Sequence, residues 1–97
     1  MMNGVQNLVS VIIACYNGAE YLDQCMNSLV NQTYQNIEII ICDDCSTDSS
    51  KKKIEQWMNK DERIKAIFLE RNCFAAAARN KCIKHAAGKY IVIQDVD

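Results

Sequence analysis

Four short apolar runs, separated by stretches with helical spacing, constrain this chain more than any other feature. "LVSVIIAC", Leu8 to Cys15, is almost continuous in apolar and β-branched residues, as expected of a strand covered on both faces. The pattern returns in "NIEIIICD" over Ile37 to Cys42, in "RIKAIFL" over Ile64 to Leu69, and in "KYIVIQ" over Tyr90 to Ile93. Between the first two runs, Tyr21, Leu22, Cys25, Met26, Leu29 and Val30 predict a helix from about Glu20 to Gln32 with one apolar stripe. "CSTDSS" offers N-cap oxygens at Ser46, Thr47 and Asp48 before a second helix whose buried face is Ile54, Trp57 and Met58. "FAAAARNKCIKHAAGK" predicts a third helix, with alanines that allow close approach to a sheet, Lys81 and Lys84 toward water, and Gly88 as the C-cap. Strands alternating with helices in this way define an α/β chain with a mostly parallel sheet, and right-handed crossovers make it doubly wound.

Composition narrows the function classes. At 97 residues the chain is one domain or a piece of one, and its 49% hydrophobic and 24% charged content is that of an ordinary globular protein. A net charge of -1 predicts no electrostatic attraction to nucleic acid or anionic lipid. The basic cluster in "SKKKIEQ" is followed by Glu55, Asp61 and Glu62 and reads as a solvated helix face. No apolar run reaches the roughly 20 residues of a membrane span, and "MMNGVQN" lacks the regions of a secretory signal, so the expectation is a soluble, cytoplasmic chain. Four of six cysteines, Cys15, Cys25, Cys42 and Cys82, fall in or beside apolar periodic runs, which favours buried reduced thiols over a disulfide framework. Cys42 and Cys45 form a C-x-x-C, but zinc would want a second close pair.

Ligands of such sheets bind beyond the carboxyl ends of the strands. Those ends carry "YNG" at Tyr16 to Gly18, "DDCSTD" at Asp43 to Asp48, "ERN" at Glu70 to Asn72 and "DVD" at Asp95 to Asp97. Gathered carboxylates repel unless a cation or hydrogen-bond donors compensate. Asp95 and Asp97 share a side if strand geometry continues through Val96. One or two carboxylates suffice for Mg2+ or Mn2+ only when substrate phosphates complete the shell, which points to a phosphate-bearing ligand. Each piece alone has a plainer reading: Asp44 or Ser46 as the cap of the following helix, Tyr16 and Asn17 as a turn, Arg79, Asn80 and His85 as helix surface. Neither G-x-G-x-x-G nor G-x-x-x-x-G-K-[ST] is present, so a dinucleotide fingerprint and a P-loop are unsupported.

Taken in order, "VSVIIACYNGAEYLDQCMNSLVNQTYQNIEIIICDDCSTDSS" and "ARNKCIKHAAGKYIVIQDVD" resemble the amino-terminal half of a family 2 glycosyltransferase. The resemblance implies a GT-A fold, Rossmann-like, with alternating βα units and truncation after the fourth strand. It implies transfer of a sugar, with inversion, from a nucleotide diphosphate sugar to a sugar or lipid-linked acceptor hydroxyl, as in polysaccharide assembly at the inner face of a bacterial membrane. The nucleotide-binding candidates it implies are Tyr16, Asn17, Asp43, Asp44, Arg79 and Asp95, with Tyr16 packing near the base and Asp44 hydrogen-bonding it. The D-x-D motif falls on Asp95, facing the ribose or sugar, and Asp97, holding a divalent cation, Mn2+ or Mg2+. Arg79 stands in the "AARN" segment that lines the donor site.

The family often has proline at Ala14 and glycine at Cys45 and Phe74, so Cys45 replaces a residue that tolerates positive φ beside the base site, and Phe74 puts a bulky ring where the backbone usually approaches closely. The general base of such enzymes lies beyond the D-x-D motif. The expectation is that residues 1–97 form the donor-binding part alone, inactive without the acceptor part, with an exposed sheet edge open to self-association. A receiver-like Mg2+-binding signalling domain and an α/β binding module stand as alternatives. A receiver places its acidic pair after the first strand, whereas here it follows the second.

Overall fold

The computed structural model describes residues 7–96. β1 (Val9–Cys15), α1 (Ala19–Val30), β2 (Ile37–Asp43), α2 (Ser50–Lys60), β3 (Ile64–Phe68), α3 (Phe74–His85) and β4 (Tyr90–Ile93) follow the expected alternation. Every strand pair is parallel, and the sheet order is β3-β2-β1-β4. The first three strands step away in one direction. α3 then carries the chain back over the sheet and sets β4 on the far side of β1, which opens the crevice of a topological switch point between β1 and β4.

Two cores follow from the pleat. Val11, Ile13 and Cys15 of β1, with Ile37, Ile39 and Ile41 of β2, pack against Leu22, Cys25, Met26 and Leu29 of α1 and Ile54 and Trp57 of α2. The alternate residues Ile12, Ile40 and Cys42 meet Ala78 and Cys82 of α3. Helices on both faces explain why β1 and β2 are apolar without alternation. β4 differs, because all four of its residues are exposed.

Three local expectations are corrected. α2 starts at Ser50 with Ser49 at the N-cap position, and the cap-like bond comes from Asp48, whose Oδ1 accepts the Ser50 N–H at 2.8 Å. Met58 is exposed, since the buried stripe of α2 runs through Ser50, Ile54 and Trp57. α3 ends at His85, with Ala86 already extended, so Gly88 caps no helix. Gly88 sits where the turn into β4 crosses β1: a Cβ there would lie 2.5 Å from Ser10 Oγ and 2.8 Å from the Leu8 carbonyl oxygen. Only a residue without a side chain fits.

Beneath that turn lies a buried polar knot. Ser10 and Glu38 are register partners on β1 and β2, both on the α3 face. Ser10 Oγ donates to Glu38 Oε2 at 2.5 Å and accepts the Gly88 N–H at 2.8 Å. Glu38 Oε2 also accepts the Ala87 N–H at 2.6 Å, and Lys65 of β3 donates to Glu38 Oε1 at 2.8 Å. Burial alone would push the Glu38 carboxyl up, but the bonds from Lys65, Ser10 and Ala87 together outweigh it and hold it at about 2. A depressed carboxyl stabilises the fold above its unfolded value and stops doing so as pH falls through its folded value. Between the ordinary 4.5 and about 2 the wild type is therefore expected to lose about 3 kcal/mol from this one group. Urea unfolding at stepped pH checks this: Glu38→Gln, less stable at neutral pH, should lack that part of the acid loss, and parallel curves for the two proteins would contradict it.

Candidate functional site

The loops after β1 and β2 are stitched together at the carboxyl edge of the sheet. Asn17 takes a left-handed backbone, with φ 51°. Its N–H donates to Ser46 Oγ at 2.9 Å, and its Oδ1 accepts the Thr47 N–H at 2.7 Å. The Gly18 N–H donates to Ser50 Oγ at 3.0 Å and the Ala19 N–H to Asp48 Oδ2 at 3.2 Å. Asp48 is exposed, and although partial desolvation would push its carboxyl up, bonds from Ser50 and Ala19 outweigh it and hold the carboxyl below its ordinary range. Asp43 is buried and accepts from both the hydroxyl and the N–H of Ser46, at 2.6 and 3.1 Å. Asn17 and Asp43 thus spend these side-chain oxygens on the loops themselves. The result is a fixed platform on which Tyr16 stands with 54% of its surface exposed.

Asp44 is only 3% exposed, and its partners come from far along the chain. Oδ1 accepts the Cys73 N–H at 2.6 Å and Oδ2 accepts the Phe74 N–H at 2.8 Å. It therefore caps the start of α3, not the α2 that follows it in sequence, and ties the end of β2 to the segment leaving β3. An anion at a helix N-terminus is favoured by the free N–H groups and by the helix dipole. Beside it, Cys45 and Phe74 both take left-handed backbones, with φ 60° and 69°. These are the two positions where the resemblance places glycine. The Phe74 ring is 75% exposed, so little packing offsets its backbone strain.

On the other side of the crevice, Asp95 follows β4 with its side chain 73% exposed, and Arg79 Nη2 lies 3.5 Å from its Oδ1. Arg79 Nε is buried and has no hydrogen-bond partner among the described residues. The Cys25 thiol donates to the Asp95 carbonyl oxygen at 3.7 Å, and Gly18 lies so close to Val96 that a Cβ would come within 2.8 Å of Cγ1. Sequence reasoning gives no sign of the Cys25 contact, because the stripe of α1 accounts for Cys25 as core. A cleft of about 210 Å3 between α1 and the end of β4 is lined by Tyr21, Gln24, Ser28, Gln94 and Asp95, among others. Of the candidate residues, only Asp95 borders it. Asp97 lies outside the described residues, and among those described no three acidic, histidine or cysteine side chains converge as a metal cluster. Cys42 and Cys45 do not act together: the first is in the core with Cys82, while the second reaches the Glu70 carbonyl oxygen at 3.5 Å. No helix among the described residues is long and apolar enough to cross a membrane.

A parallel α/β sheet with a polar carboxyl edge and a switch-point crevice defines a Rossmann-like ligand-binding domain. Comparison with known proteins then fixes the family. Residues 10–97 match the glycosyl transferase family 2 model, and the chain belongs to that family. It is 42% identical over 93 residues to glycosyltransferase GlyG of Streptococcus pneumoniae, covering 96% of this chain and 31% of that protein. It is 38% identical over 90 residues to the Escherichia coli UDP-Glc:alpha-D-GlcNAc-diphosphoundecaprenol beta-1,3-glucosyltransferase WfgD, covering 93% and 35%. The chain thus spans about a third of the length of these curated relatives. Among solved structures, Staphylococcus aureus TarS 1-349 in complex with UDP-GlcNAc superposes with a TM-score of 0.85 at 34% identity, over 92% of this chain and 26% of that one. The mannosyltransferase PcManGT of Pyrobaculum calidifontis, in complex with GDP-Man and Mn2+, superposes with a TM-score of 0.86 at 26% identity, over 92% and 27%. The GT-A fold expected from the resemblance is the fold observed. A receiver has a different sheet order, with the first strand between the second and the third.

The left-handed backbones at Cys45 and Phe74 lead to a stability prediction. A side chain at positive φ costs about 1–2 kcal/mol relative to glycine, part of which is returned by the greater freedom of glycine in the unfolded chain. Cys45→Gly and Phe74→Gly should each stabilise the fold by about 1 kcal/mol, read as a higher urea midpoint. A lower midpoint for both would mean that these side chains contribute more contact than their exposure indicates.

Proposed function

We propose that this chain forms the donor-binding part of a sugar transferase that takes its sugar from a nucleotide diphosphate. The observation that supports this reading is that an exposed Tyr16 and a buried Asp44 follow the carboxyl ends of β1 and β2, while Asp95 follows β4 and pairs with Arg79. Tyr16 offers an aromatic face for the nucleobase. Asp44 is assigned to an N–H of the base, which would share an oxygen with the Cys73 or Phe74 N–H, while Asn17 and Asp43 position the loop beneath it. Arg79, held at the mouth by Asp95, brings positive charge to the diphosphate. The UDP-GlcNAc and GDP-Man in complex with the structural relatives support a nucleotide sugar as the ligand.

The residues fit a shared cation site. Asp95 is a single, solvent-open carboxylate, which is the donor set expected where phosphates complete the coordination, and Asp97 is proposed as the second ligand. Mn2+ or Mg2+, when bound, supplies charge neutralisation for the leaving diphosphate. The general base is assigned to none of these residues and is proposed to follow Asp97 in a longer protein, together with the acceptor part. The diphosphoundecaprenol-linked substrate in the name of the E. coli relative supports a lipid-linked acceptor, and with it work at the inner face of the membrane. β4 presents apolar residues along a free edge, a surface that a second copy of this chain can pair with.

Calorimetric titration with UDP, GDP and TDP, each with and without Mn2+, tests the reading. One nucleotide should bind in a Mn2+-dependent manner. Tyr16→Ala should weaken it about tenfold or more through lost stacking, and Asp95→Asn should remove most of the Mn2+ dependence. If the chain is folded by circular dichroism and binds none of the three, the donor-site reading of these residues is wrong.

A further inference from the structure

All six cysteines are free, but they form two populations. Cys15 and Cys25 are buried in the core under α1 and α2, and Cys42 and Cys82 in the core under α3. Burial pushes the Cys15 and Cys25 thiols up, and the adjacent Cys82 thiol together with burial does the same to Cys42. The same contact pulls the Cys82 thiol down, and Cys25 borders the cleft between α1 and the end of β4, but all four side chains are buried, which disfavours their reaction. Cys45 and Cys73 are each only half-buried. They stand on either side of Asp44: Cys45 follows it in sequence, and the Cys73 N–H donates to its carboxylate. Their sulfurs reach consecutive carbonyl oxygens of one short loop, Cys45 Sγ to Glu70 at 3.5 Å and Cys73 Sγ to Arg71 at 3.6 Å. Both carbonyls belong to the segment between β3 and α3, outside any helix or strand, so one short stretch brings the two sulfurs to the same place.

We propose that Cys45 and Cys73 are a modification site, a thiol pair that a low-molecular-weight disulfide such as oxidised glutathione joins across Asp44. The first protein thiolate attacks one sulfur of the small disulfide, breaking its S–S bond and releasing one small thiolate with the electron pair. The second protein thiolate attacks the protein sulfur of the mixed disulfide, that bond breaks, and the second small thiolate leaves. Two protein thiols are oxidised and one small disulfide is reduced to two thiols, which take up the two protons. The strap ties the end of β2 to the start of α3 over the carboxylate assigned to the base. Its effect on nucleotide binding rests on the donor-site reading above; its formation does not.

The reduced 97-residue chain is incubated with oxidised glutathione at mildly alkaline pH and read by intact mass and by mapping of linked peptides. The expected product has lost two hydrogens, carries one Cys45–Cys73 link and reverts with dithiothreitol. Cys45→Ser and Cys73→Ser should each stop at one bound glutathione. Two glutathiones on the wild type without a link, no reaction, or a link through any of the four core cysteines overturns the pair. In the linked chain UDP affinity should fall at least tenfold from its value in the reduced chain. Unchanged affinity overturns the effect on binding, whereas a reduced chain that links normally but never binds UDP counts against the donor-site reading and leaves the thiol pair standing.

Discussion

The position of β4 depends on a buried carboxylate. The first three strands of this sheet can be laid down by short crossovers, but the fourth must return over the sheet and stop beside β1 at a fixed height. Glu38 sets that height, because Ala87 and Ser10 donate to its one oxygen and Lys65 to the other. Through Ser10 the same knot holds Gly88. Three strands and the α3–β4 turn therefore meet at one side chain. Removing one partner of such a group leaves a buried charge uncompensated, which is far more costly than the modest net gain of forming the pair. The knot therefore fixes register, and the stability it adds is the pH-dependent part that is lost as Glu38 is protonated.

Register at this end of the sheet decides geometry at the other. With Val9 opposite Tyr90 and Ile12 opposite Ile93, β4 ends before β1, which continues to Cys15, and Gln94 donates its N–H to the Ile12 carbonyl oxygen at 2.9 Å. The residues that follow run alongside the rest of β1, which brings Val96 against Gly18 and Asp95 to Arg79. A slip of one residue would turn Asp95 to the opposite face and carry it away from Arg79.

The strands were legible because they are dense apolar runs covered on both sides, and β4 could be placed to the residue. Helix ends were less so. Gly88 reads as a cap from its place after a helical run, whereas its missing side chain answers to Ser10, a residue at the opposite end of the sequence. Glu38 and Ser10 were each an isolated polar residue inside an apolar strand. Nothing in either run shows that the two become partners, since register is a property of the paired sheet. Asp44 illustrates the same limit: local sequence offers it as a cap for α2, while its hydrogen bonds go to Cys73 and Phe74. In contrast, the resemblance points to a left-handed backbone at Cys45, which is what the loop adopts, while at Phe74 it implies a close approach and the structure shows a left-handed backbone instead. A backbone conformation can persist at positions where the residue that suits it is absent.

The two sides of the crevice are built differently, and the difference bears on how a ligand would be recognised. On the β1–β2 side, the hydrogen bonds among Asn17, Ser46, Thr47, Asp48 and Ser50 leave the loops little freedom, so an aromatic face at Tyr16 is available without reorganisation. On the β4 side, Asp95 is open to water and joined to Arg79 by a long ion pair, whose worth at such exposure is small. A rigid surface suits a flat, uncharged group, because little ordering entropy opposes contact. A weakly held pair of opposite charges suits a phosphate and its cation, each of which can take over one partner of the pair as it arrives. The nucleoside end of a donor would thus meet a preformed surface, and the diphosphate end would complete its own site on entry.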